Sequence, residues 1–282
     1  MTEPPKLEPR ERHKADEEEQ LNADVTYEVI RREGEGELRR KPSALAWSAL
    51  AAGLSMGFSL LAQALLRSHL PEAEWAPLVS KLGYPVGFLI VILGSQQLFT
   101  ENTLTAVVPT MAERSGRLLG RMLRLWGIVL AGNLAGAHLF GWVLARSTLV
   151  DPEVHEALRT IGLEAIDPSF ETTLLRAVFA GWLIALMVWM LPAARSAQFF
   201  VIVVMTWLVG AGGLAHVIAG SADVLYLVFA RELGWVEYLV GFFVPTLTGN
   251  IVGGTLLVAA LNHAQVVGGR DESPPADRND SG

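Results

Sequence analysis

The chain contains no cysteine, which excludes disulfide bonds, thiol catalysis and thiolate metal sites. No cleavable signal peptide is visible, because the beginning of the sequence is hydrophilic. The H-E-x-x-H, G-x-S-x-G and P-loop motifs are also absent. Asp223 is the only aspartate well inside an apolar stretch, so the paired aspartates of an intramembrane protease are missing. We therefore expect no enzyme activity, no catalytic residue and no metal site.

Charged residues are scarce and concentrated at the two ends of the chain. They make up 18% of the sequence, whereas hydrophobic residues make up 51%. Residues 1–42 hold twelve acids and nine bases, and residues 270–282 hold four acids and two bases. The net charge of −7 therefore says little about the apolar body, and it indicates no nucleic-acid partner.

The apolar body contains six segments long enough to cross a membrane, since a spanning helix needs about 20 apolar residues. They are residues 44–66, 84–112, 122–145, 173–193, 197–230 and 239–261. The second and the fifth are too long for one straight helix across a core of about 30 Å. Both are interrupted by polar and glycine residues, at 94–102 and 210–221. The sequence thus predicts an all-α membrane protein with two broken spans.

The two interruptions fall at membrane depth, where only protein or a watery cavity can satisfy non-helical backbone. We interpret each interrupted span as two half-helices around a loop, which indicates a pore. The order span, broken span, span occurs twice, as expected for two three-span units inserted in opposite directions. This repeat is inferred from hydropathy, because the two halves share no strong sequence identity.

Lysine and arginine residues near the span ends predict the orientation. Eleven lie on one side and five on the other, which places both termini in the cytoplasm. We predict a charged cytoplasmic segment over residues 1–42, a channel domain over residues 43–267 and a flexible cytoplasmic tail over residues 268–282. The beginning of the first segment, residues 1–23, has the composition of a disordered region.

The end of that first segment has two interpretations. Val25, Val29 and Ile30 can form an apolar stripe on a short helix that Gly34 and Gly36 end, which would give an interfacial helix under the membrane domain. The alternative is a solvated linker.

Four motifs resemble those of the formate/nitrite transporter family. They are Leu98 to Thr103 at the first break, Gly132 to Gly136 in span three, His216 at the second break and Gly249 to Gly254 in span six. The resemblance covers residues 40–265. Within the family, Trp47 to Ala49, Gln96 to Asn102 and Asn262 to Ala264 make the chain most similar to the YfdC-like branch.

The resemblance implies an aquaporin-like protomer with six spans in an inverted 3+3 repeat, and five protomers in a ring in a bacterial inner membrane. It implies a pore for small monovalent anions of weak acids, with His216 at the centre and Thr100 facing it. Leu98 and Phe99 would form part of an apolar constriction. No cofactor is expected, and the expected partners are the small-molecule substrate, membrane lipid and identical subunits.

The chain also departs from the pattern of formate-transporting members. They carry glutamate before the histidine and asparagine four residues after it, whereas this chain has Ala215 and Gly220. The lysine near the outer end of span four is missing, and Arg176 either replaces it as an anion attractor or snorkels to the interface. We therefore expect a mostly neutral His216 and a preference for neutral or readily protonated solutes.

The two histidines inside the spans have competing interpretations. His216 either faces the pore or packs in the protein interior, while His138 is expected to make one interhelical hydrogen bond. Both together would supply the axial ligands of a haem, but a single pair of histidines is weak support for a cofactor.

Four other polar residues are singled out in the same way. Glu101 is either stabilised by the start of a half-helix or lies in the cytoplasmic mouth. Asp223 is expected to face protein or water, since lipid exposure is costly, with a backbone donor as one possible partner. Asn133 and Asn250 lie beside glycines, and we interpret them as packing residues at close helix crossings.

These observations predict proton-linked, facilitated passage of a small weak acid or its anion through a pore centred on His216. His216 either donates or relays the proton, because imidazole titrates near neutral pH, or stabilises the anion by hydrogen bonding. Two alternatives stay open. One is a pore for neutral small solutes. The other is a structural membrane protein with a closed pore, since apolar constrictions around a desolvated histidine exclude ions.

Overall fold

The computed structural model describes residues 23–265, which form an all-helical protein. The predictions made for residues 1–22 and 268–282 lie outside this range. The helices are α1 (Ala23–Arg39), α2 (Pro42–His69), α3 (Ala76–Ser80), α4 (Pro85–Leu93), α5 (Phe99–Thr105), α6 (Val107–Glu113), α7 (Gly116–Arg146), α8 (Pro152–Ile166), α9 (Phe170–Ala194), α10 (Gln198–Ala211), α11 (Val217–Ala230) and α12 (Val244–Val252). Short 3-10 turns occupy Lys81–Gly83 and Arg195–Ala197, and π-helical stretches flank α12 at Glu237–Phe243 and Gly253–Ala260.

Five helical stretches of the described chain are long and apolar enough to cross a membrane. They are Pro42–His69, Ala76–Leu93, Gly116–Arg146, Phe170–Ala211 and Glu237–Gln265. The sequence predicts six spans, and the counts differ at the fifth. Its first half runs on from the fourth span within Phe170–Ala211, and its second half, Val217–Ala230, is apolar but shorter.

Both predicted interruptions are present, but the non-helical parts are shorter than expected. α4 ends at Leu93 and α5 begins at Phe99, and α10 ends at Ala211 while α11 begins at Val217. Each loop passes through one residue of positive φ, which is Ser95 at 51° in the first and Gly213 at 58° in the second. Only residues 94–98 and 212–216 therefore leave the helix, and the remaining polar residues of each interruption lie in the half-helices.

One buried asparagine holds the first break from a neighbouring helix. The Asn133 side chain of α7 accepts a hydrogen bond from the Phe99 N–H at 2.9 Å. Its amide donates to the carbonyls of Ala49 and Gln97, both at 2.8 Å. The freed backbone at the start of α5 is thus satisfied by protein, as membrane depth requires.

Asn250 of α12 does the same at the second break. It accepts from the Val217 N–H at 2.8 Å and donates to the carbonyls of Ala177 at 2.8 Å and Ala215 at 2.9 Å. Both asparagines also lie at close crossings, because a side chain at Gly53 would overlap the Asn133 carbonyl and one at Gly181 the Asn250 carbonyl. The interpretation as packing residues is therefore incomplete, since their amides support the broken backbone.

Helix α1 differs from the predicted short stripe. It continues through Gly34 and Gly36 to Arg39, although glycine disfavours helix interiors. Gly34 lies against the carbonyl of Thr105, where no larger side chain fits, so packing overrides propensity. The buried face consists of Thr26, Tyr27, Ile30, Gly34 and Leu38, while Val25 and Val29 of the predicted stripe are exposed.

Helix α8 lies in a segment that the sequence analysis assigned to no element. Pro152 occupies its first turn, where a missing N–H costs nothing. Val154, Leu158 and Ile161 are buried against the carboxyl-terminal half of α2 and against α11, and Arg67 of α2 donates to Glu164 at 2.7 Å. Because α1 precedes the first residue of α2, helices α1 and α8 lie at opposite ends of that long helix.

Candidate functional site

His216 lies between the two breaks and links them. It is the N-cap residue of α11, and its Nδ1 accepts a hydrogen bond from the Ala219 N–H at 3.2 Å. Its Nε2 lies 2.8 Å from the Thr100 hydroxyl in the first turn of α5. The ring is 1% exposed. One side chain from each half of the chain therefore meets at this point, as the resemblance implies for Thr100 and His216.

These contacts define the protonation state that fits the site. Because Nδ1 accepts from a backbone N–H, the proton of a neutral ring resides on Nε2, which then donates to Thr100. A doubly protonated ring would direct its Nδ1–H at the Ala219 N–H. The geometry therefore suits a neutral histidine with a single N–H donor.

Apolar side chains enclose the His216–Thr100 pair. Phe88 of α4 is fully buried and packs edge-on against the imidazole, with 5.0 Å between ring centroids. Leu98, the N-cap residue of α5, is also fully buried. Phe99 is 1% exposed, but it packs edge-on against Trp126 of α7 at 5.6 Å, so its ring contributes to the contact between α5 and α7.

A cavity of about 240 Å³ approaches His216 from the end of the molecule that carries α8. We call it the α8-side cavity. Its lining includes Lys81, Tyr84, Glu164, Thr173, Arg176, His216, Gly220, Asp223 and Phe242. Charges of both signs therefore surround the space next to the histidine.

Arg176 and Asp223 both line this cavity. The Arg176 side chain makes no hydrogen bond or ion pair with residues 23–265, so its guanidinium is available to a ligand. Asp223 is 7% exposed, and its carboxyl likewise has no such partner in the described chain. The expected backbone donor for Asp223 is therefore not found in this range.

Gly220 lines the same cavity and packs tightly against the Phe242 ring. A side chain at position 220 would overlap that ring, which is itself 1% exposed. Phe242 thus occupies the space into which a side chain at 220 would extend. No sequence signal indicated this contact, because the two residues belong to different helical elements.

A second cavity, of about 420 Å³, lies at the opposite end under α1. We call it the α1-side cavity. Its lining includes Glu33, Glu37, Ser95, Gln96, Gln97, Glu101 and Gln198. The Oε1 atom of Glu101 is buried and has no hydrogen-bond partner among the described residues. Glu101 lies in the first turn of α5 and also lines this cavity, so both of its interpretations fit.

The charges of α1 are arranged in two groups. On its outer face, hydrogen bonds from Arg31 and Arg32 lower the pKa of Glu28 to about 2. Glu33 is exposed at the rim of the α1-side cavity, where desolvation by the cavity walls, followed by the charge of Glu37, raises the pKa of its carboxyl. The negative charge of Glu33 is therefore less favourable in the docked helix than in water.

His138 lies apart from this site. Its Nδ1 is 2.7 Å from the Leu134 carbonyl of its own helix, and its ring stacks on Trp235 with 5.7 Å between centroids. The expected interhelical hydrogen bond is therefore replaced by a bond within α7 and an aromatic contact. The two histidine rings have different hydrogen-bond partners, and His138 lines neither of the two cavities.

Comparison with known proteins adds a separate line of information. The sequence profile of the formate/nitrite transporter family matches residues 24–264. The inner membrane protein YfdC of Escherichia coli (strain K12) is 45% identical over 240 residues, which are 85% of this chain and 77% of that protein.

Two solved structures share the fold. A pentameric formate channel with formate bound matches with a TM-score of 0.70 at 20% identity, over 80% of this chain and 98% of the channel. An ion channel of the FNT family matches with a TM-score of 0.72 at 19% identity, over 88% and 99%.

Proposed function

The chain belongs to the formate/nitrite transporter family, and from that premise we propose that it conducts a small weak acid, or its monovalent anion, across a bacterial inner membrane. The family consists of transporters, so the protein is a transporter and not an enzyme. Its relative YfdC is named as an inner membrane protein, which supports the location.

The proposed protomer crosses the membrane six times in an inverted 3+3 repeat, with both termini in the cytoplasm. α9 and the broken pair α10–α11 are then separate crossings, joined at Arg195–Ala197. The repeated use of a buried asparagine, Asn133 at one break and Asn250 at the other, supports two equivalent units. The excess of basic residues on the α1 side supports the orientation.

The proposed assembly is a homopentamer with one passage in each protomer. A solved structure of the same fold is named a pentameric formate channel, and this supports the stoichiometry. The exposed large hydrophobic side chains of α7 and α10, including Leu139, Trp142, Phe200 and Val204, have the character expected of surfaces that face lipid or neighbouring protomers.

The observation that carries the proposal is that two cavities approach the His216–Thr100 contact from opposite ends of the molecule. His216 lines the α8-side cavity, whereas Gln97 and Glu101 line the α1-side cavity. Leu98, Thr100 and His216 lie between them and are at most 1% exposed. The structure thus represents a closed form, in which this short buried segment separates the two cavities.

We propose that His216 stabilises the solute by hydrogen bonding as it passes. Its Nε2–H, which now faces Thr100, would turn to an oxygen of the solute. A permanent ion would lose its hydration among Phe88 and Leu98, whereas a protonated weak acid crosses without charge. Proton linkage then arises because the acid is neutral at the centre and ionised on either side. Arg176 would attract the anion into the α8-side cavity.

Passage of neutral solutes is the second candidate, and a permanently closed structural pore is the third. The lack of a charged group at the centre favours a pore for neutral solutes. The buried contact between the two cavities favours a permanently closed pore. A pore for neutral solutes predicts that permanently uncharged solutes enter faster than the weak acids, and a closed pore predicts no uptake above that of protein-free liposomes. A liposome uptake panel of formate, nitrite, acetate, lactate, hydrosulfide and neutral solutes at mildly acidic and neutral pH distinguishes the three functions.

The same panel tests His216 directly. His216→Phe is expected to abolish or change weak-acid uptake while the oligomer stays intact. His138→Phe is the matched control, because His138 lies outside both cavities, and it should leave uptake unchanged. Equal fluxes of every solute in wild type and His216→Phe would remove the histidine from the mechanism.

A further inference from the structure

Asp223 is a buried acid that the proposed passage does not yet use. It lies in α11, two turns after His216, and is 7% exposed. Buried carboxylates normally accept hydrogen bonds, yet this one has no hydrogen bond or ion pair with any residue from 23 to 265. Its side chain lines the α8-side cavity. Asp223 is therefore open to whatever the cavity contains, which is water or a solute that donates a hydrogen bond or exchanges a proton with the carboxyl.

The ionisable groups that line the cavity with Asp223 come from several elements. They are Lys81 and Tyr84 before α4, Glu164 of α8, Arg176 of α9 and His216 at the N-cap of α11. The elements α2 and α10 line it only with uncharged residues, Gln63, Gly210 and Ala211. Lys81 lies 3.7 Å from Glu164, which in turn accepts from Arg67 at 2.7 Å. Lys81 is therefore shared with another acid and does not neutralise Asp223 alone.

The other acidic groups are poorly suited to give a proton to a molecule in this cavity. Both ring nitrogens of His216 are engaged, one by Ala219 and one by Thr100. The Glu164 carboxylate is 44% exposed and ion-paired. Tyr84 is a phenol, which is a far weaker acid than a carboxylic acid. Asp223 is the remaining acid that is buried, without a partner and directed at the cavity.

Arg176 supplies the complementary charge. Its guanidinium lines the same cavity and also lacks a partner within the described range. An anion attracted by Arg176 therefore enters a space of about 240 Å³ that also contains the Asp223 carboxyl. Proximity of a donor and an acceptor in so small a volume favours direct proton transfer.

We infer that Asp223 is the proton donor that neutralises a weak-acid anion in the α8-side cavity before the acid passes His216. This inference rests on the proposed function. In the transfer, the O–H bond of the Asp223 carboxylic acid breaks and an O–H bond forms on the anion held by Arg176. Asp223 is left as a carboxylate, and the neutral acid moves on. A hydronium ion from the α8 side then returns a proton to Asp223 and becomes water.

The test uses the full-length protein in liposomes, with formate as the probe and internal acidification as a second readout. Asp223→Asn keeps the shape of the side chain but removes the transferable proton. We expect it to lower formate uptake by at least about tenfold, since a positioned acid group contributes about 100-fold or more to a proton transfer. It should also flatten the pH profile. Asp223→Glu, which keeps a carboxyl, should restore much of the uptake.

Glu232→Gln is the matched control, because it removes one acid that pairs with Arg159 away from the cavity. Its uptake should equal that of the wild type. If Asp223→Asn does not assemble, Asp223→Ser is the second neutral variant. Wild-type uptake with an unchanged pH profile in the neutral variant overturns the inference and leaves the proposed function standing.

Loss of uptake in both the neutral variant and Asp223→Glu, with intact oligomers, also overturns the inference, because the shape at position 223 and not its proton would then matter. A wild type that carries none of the weak acids overturns the proposed function itself, and the role of Asp223 with it.

Discussion

Asn250→Leu tests how the second break is stabilised inside the membrane. The change removes three hydrogen bonds, one from the Val217 N–H and two to the carbonyls of Ala177 and Ala215, with lengths of 2.8, 2.8 and 2.9 Å. Lipid cannot replace them. At about 1–3 kcal/mol for each unsatisfied group, the loss is about 3–9 kcal/mol. We expect the lower half of this range, since leucine fills a similar volume.

A loss of this size is a large fraction of the about 5–15 kcal/mol that stabilises a typical folded protein. The assay is equilibrium unfolding of the purified protein in mild detergent, followed by tryptophan fluorescence. Thr248→Ala on the same helix is the control, because the Thr248 hydroxyl is exposed and bonds only to its own helix. It should change stability by no more than about 0.5 kcal/mol.

Asn133→Leu provides the second arm of the experiment. Its three bonds at the first break have the same pattern and nearly the same lengths, so its effect should be similar. Losses below about 1 kcal/mol in either variant, which is less than one unsatisfied buried group costs on average, would refute the role that we assign to these asparagines.

Three further outcomes are expected. Gly220→Asn alone should reduce the yield of folded protein, because the new side chain overlaps Phe242. The double variant Gly220→Asn/Phe242→Ala should fold and should take up formate faster than Phe242→Ala alone. Equal formate uptake by these two variants would contradict the prediction. The raised pKa of Glu33 means that its contribution to α1 docking is present at acidic pH and is lost as pH rises through that pKa. The hydrogen-exchange protection factors of residues 23–39, which are corrected for the intrinsic pH dependence of exchange, should therefore be higher at mildly acidic than at neutral pH, and Glu33→Gln should remove this difference. Native mass spectrometry in mild detergent should show a pentamer, and a stable monomer or trimer would argue against the proposed assembly.

Length and polarity are sufficient to locate the breaks in the sequence. A segment too long for one crossing, with glycine and polar residues at membrane depth, predicts a loop there for reasons of backbone hydrogen bonding. The loop ends are less predictable. α5 begins where Asn133 accepts from Phe99 and α11 where Asn250 accepts from Val217. Each partner is more than thirty residues away in the chain, so local sequence does not determine these boundaries.

Helices α1 and α8 show two different limits of sequence reasoning. In α1, glycine suggested an end, but close packing of Gly34 against Thr105 requires glycine and lets the helix continue. In α8, Pro152 after Asp151 and the spacing of Val154, Leu158 and Ile161 are a usable helix signal. A criterion based on spanning length does not detect this helix, because the segment is too polar to cross a membrane.

The family resemblance is confirmed by the profile match over residues 24–264 and by the similarity to YfdC. The resemblance also predicted that Thr100 faces His216. Local sequence patterns do not predict this contact, because the two residues are 116 positions apart. The resemblance did not indicate Phe88 or Phe242. These residues approach His216 and Gly220 through helix crossings, and in the sequence they are ordinary apolar residues of a span.

His216 lacks the polar neighbours of formate-transporting members, whereas the α8-side cavity next to it carries charged residues. With Ala215 and Gly220 in place of glutamate and asparagine, no side chain next to His216 favours its charged form, and the bond from the Ala219 N–H to Nδ1 suits the neutral ring. In the mechanism that we propose, charge recognition is located before the centre, at Arg176 and Asp223, which both line the α8-side cavity. A solute that is neutralised in that cavity meets a neutral centre, so its net flow follows the gradient of the protonated acid. The passage can then be narrow and apolar and needs no fixed charge at its midpoint. Protonation makes the solute neutral, so the energetic cost of removing an ion's hydration does not arise and no opposing charge is needed to offset it.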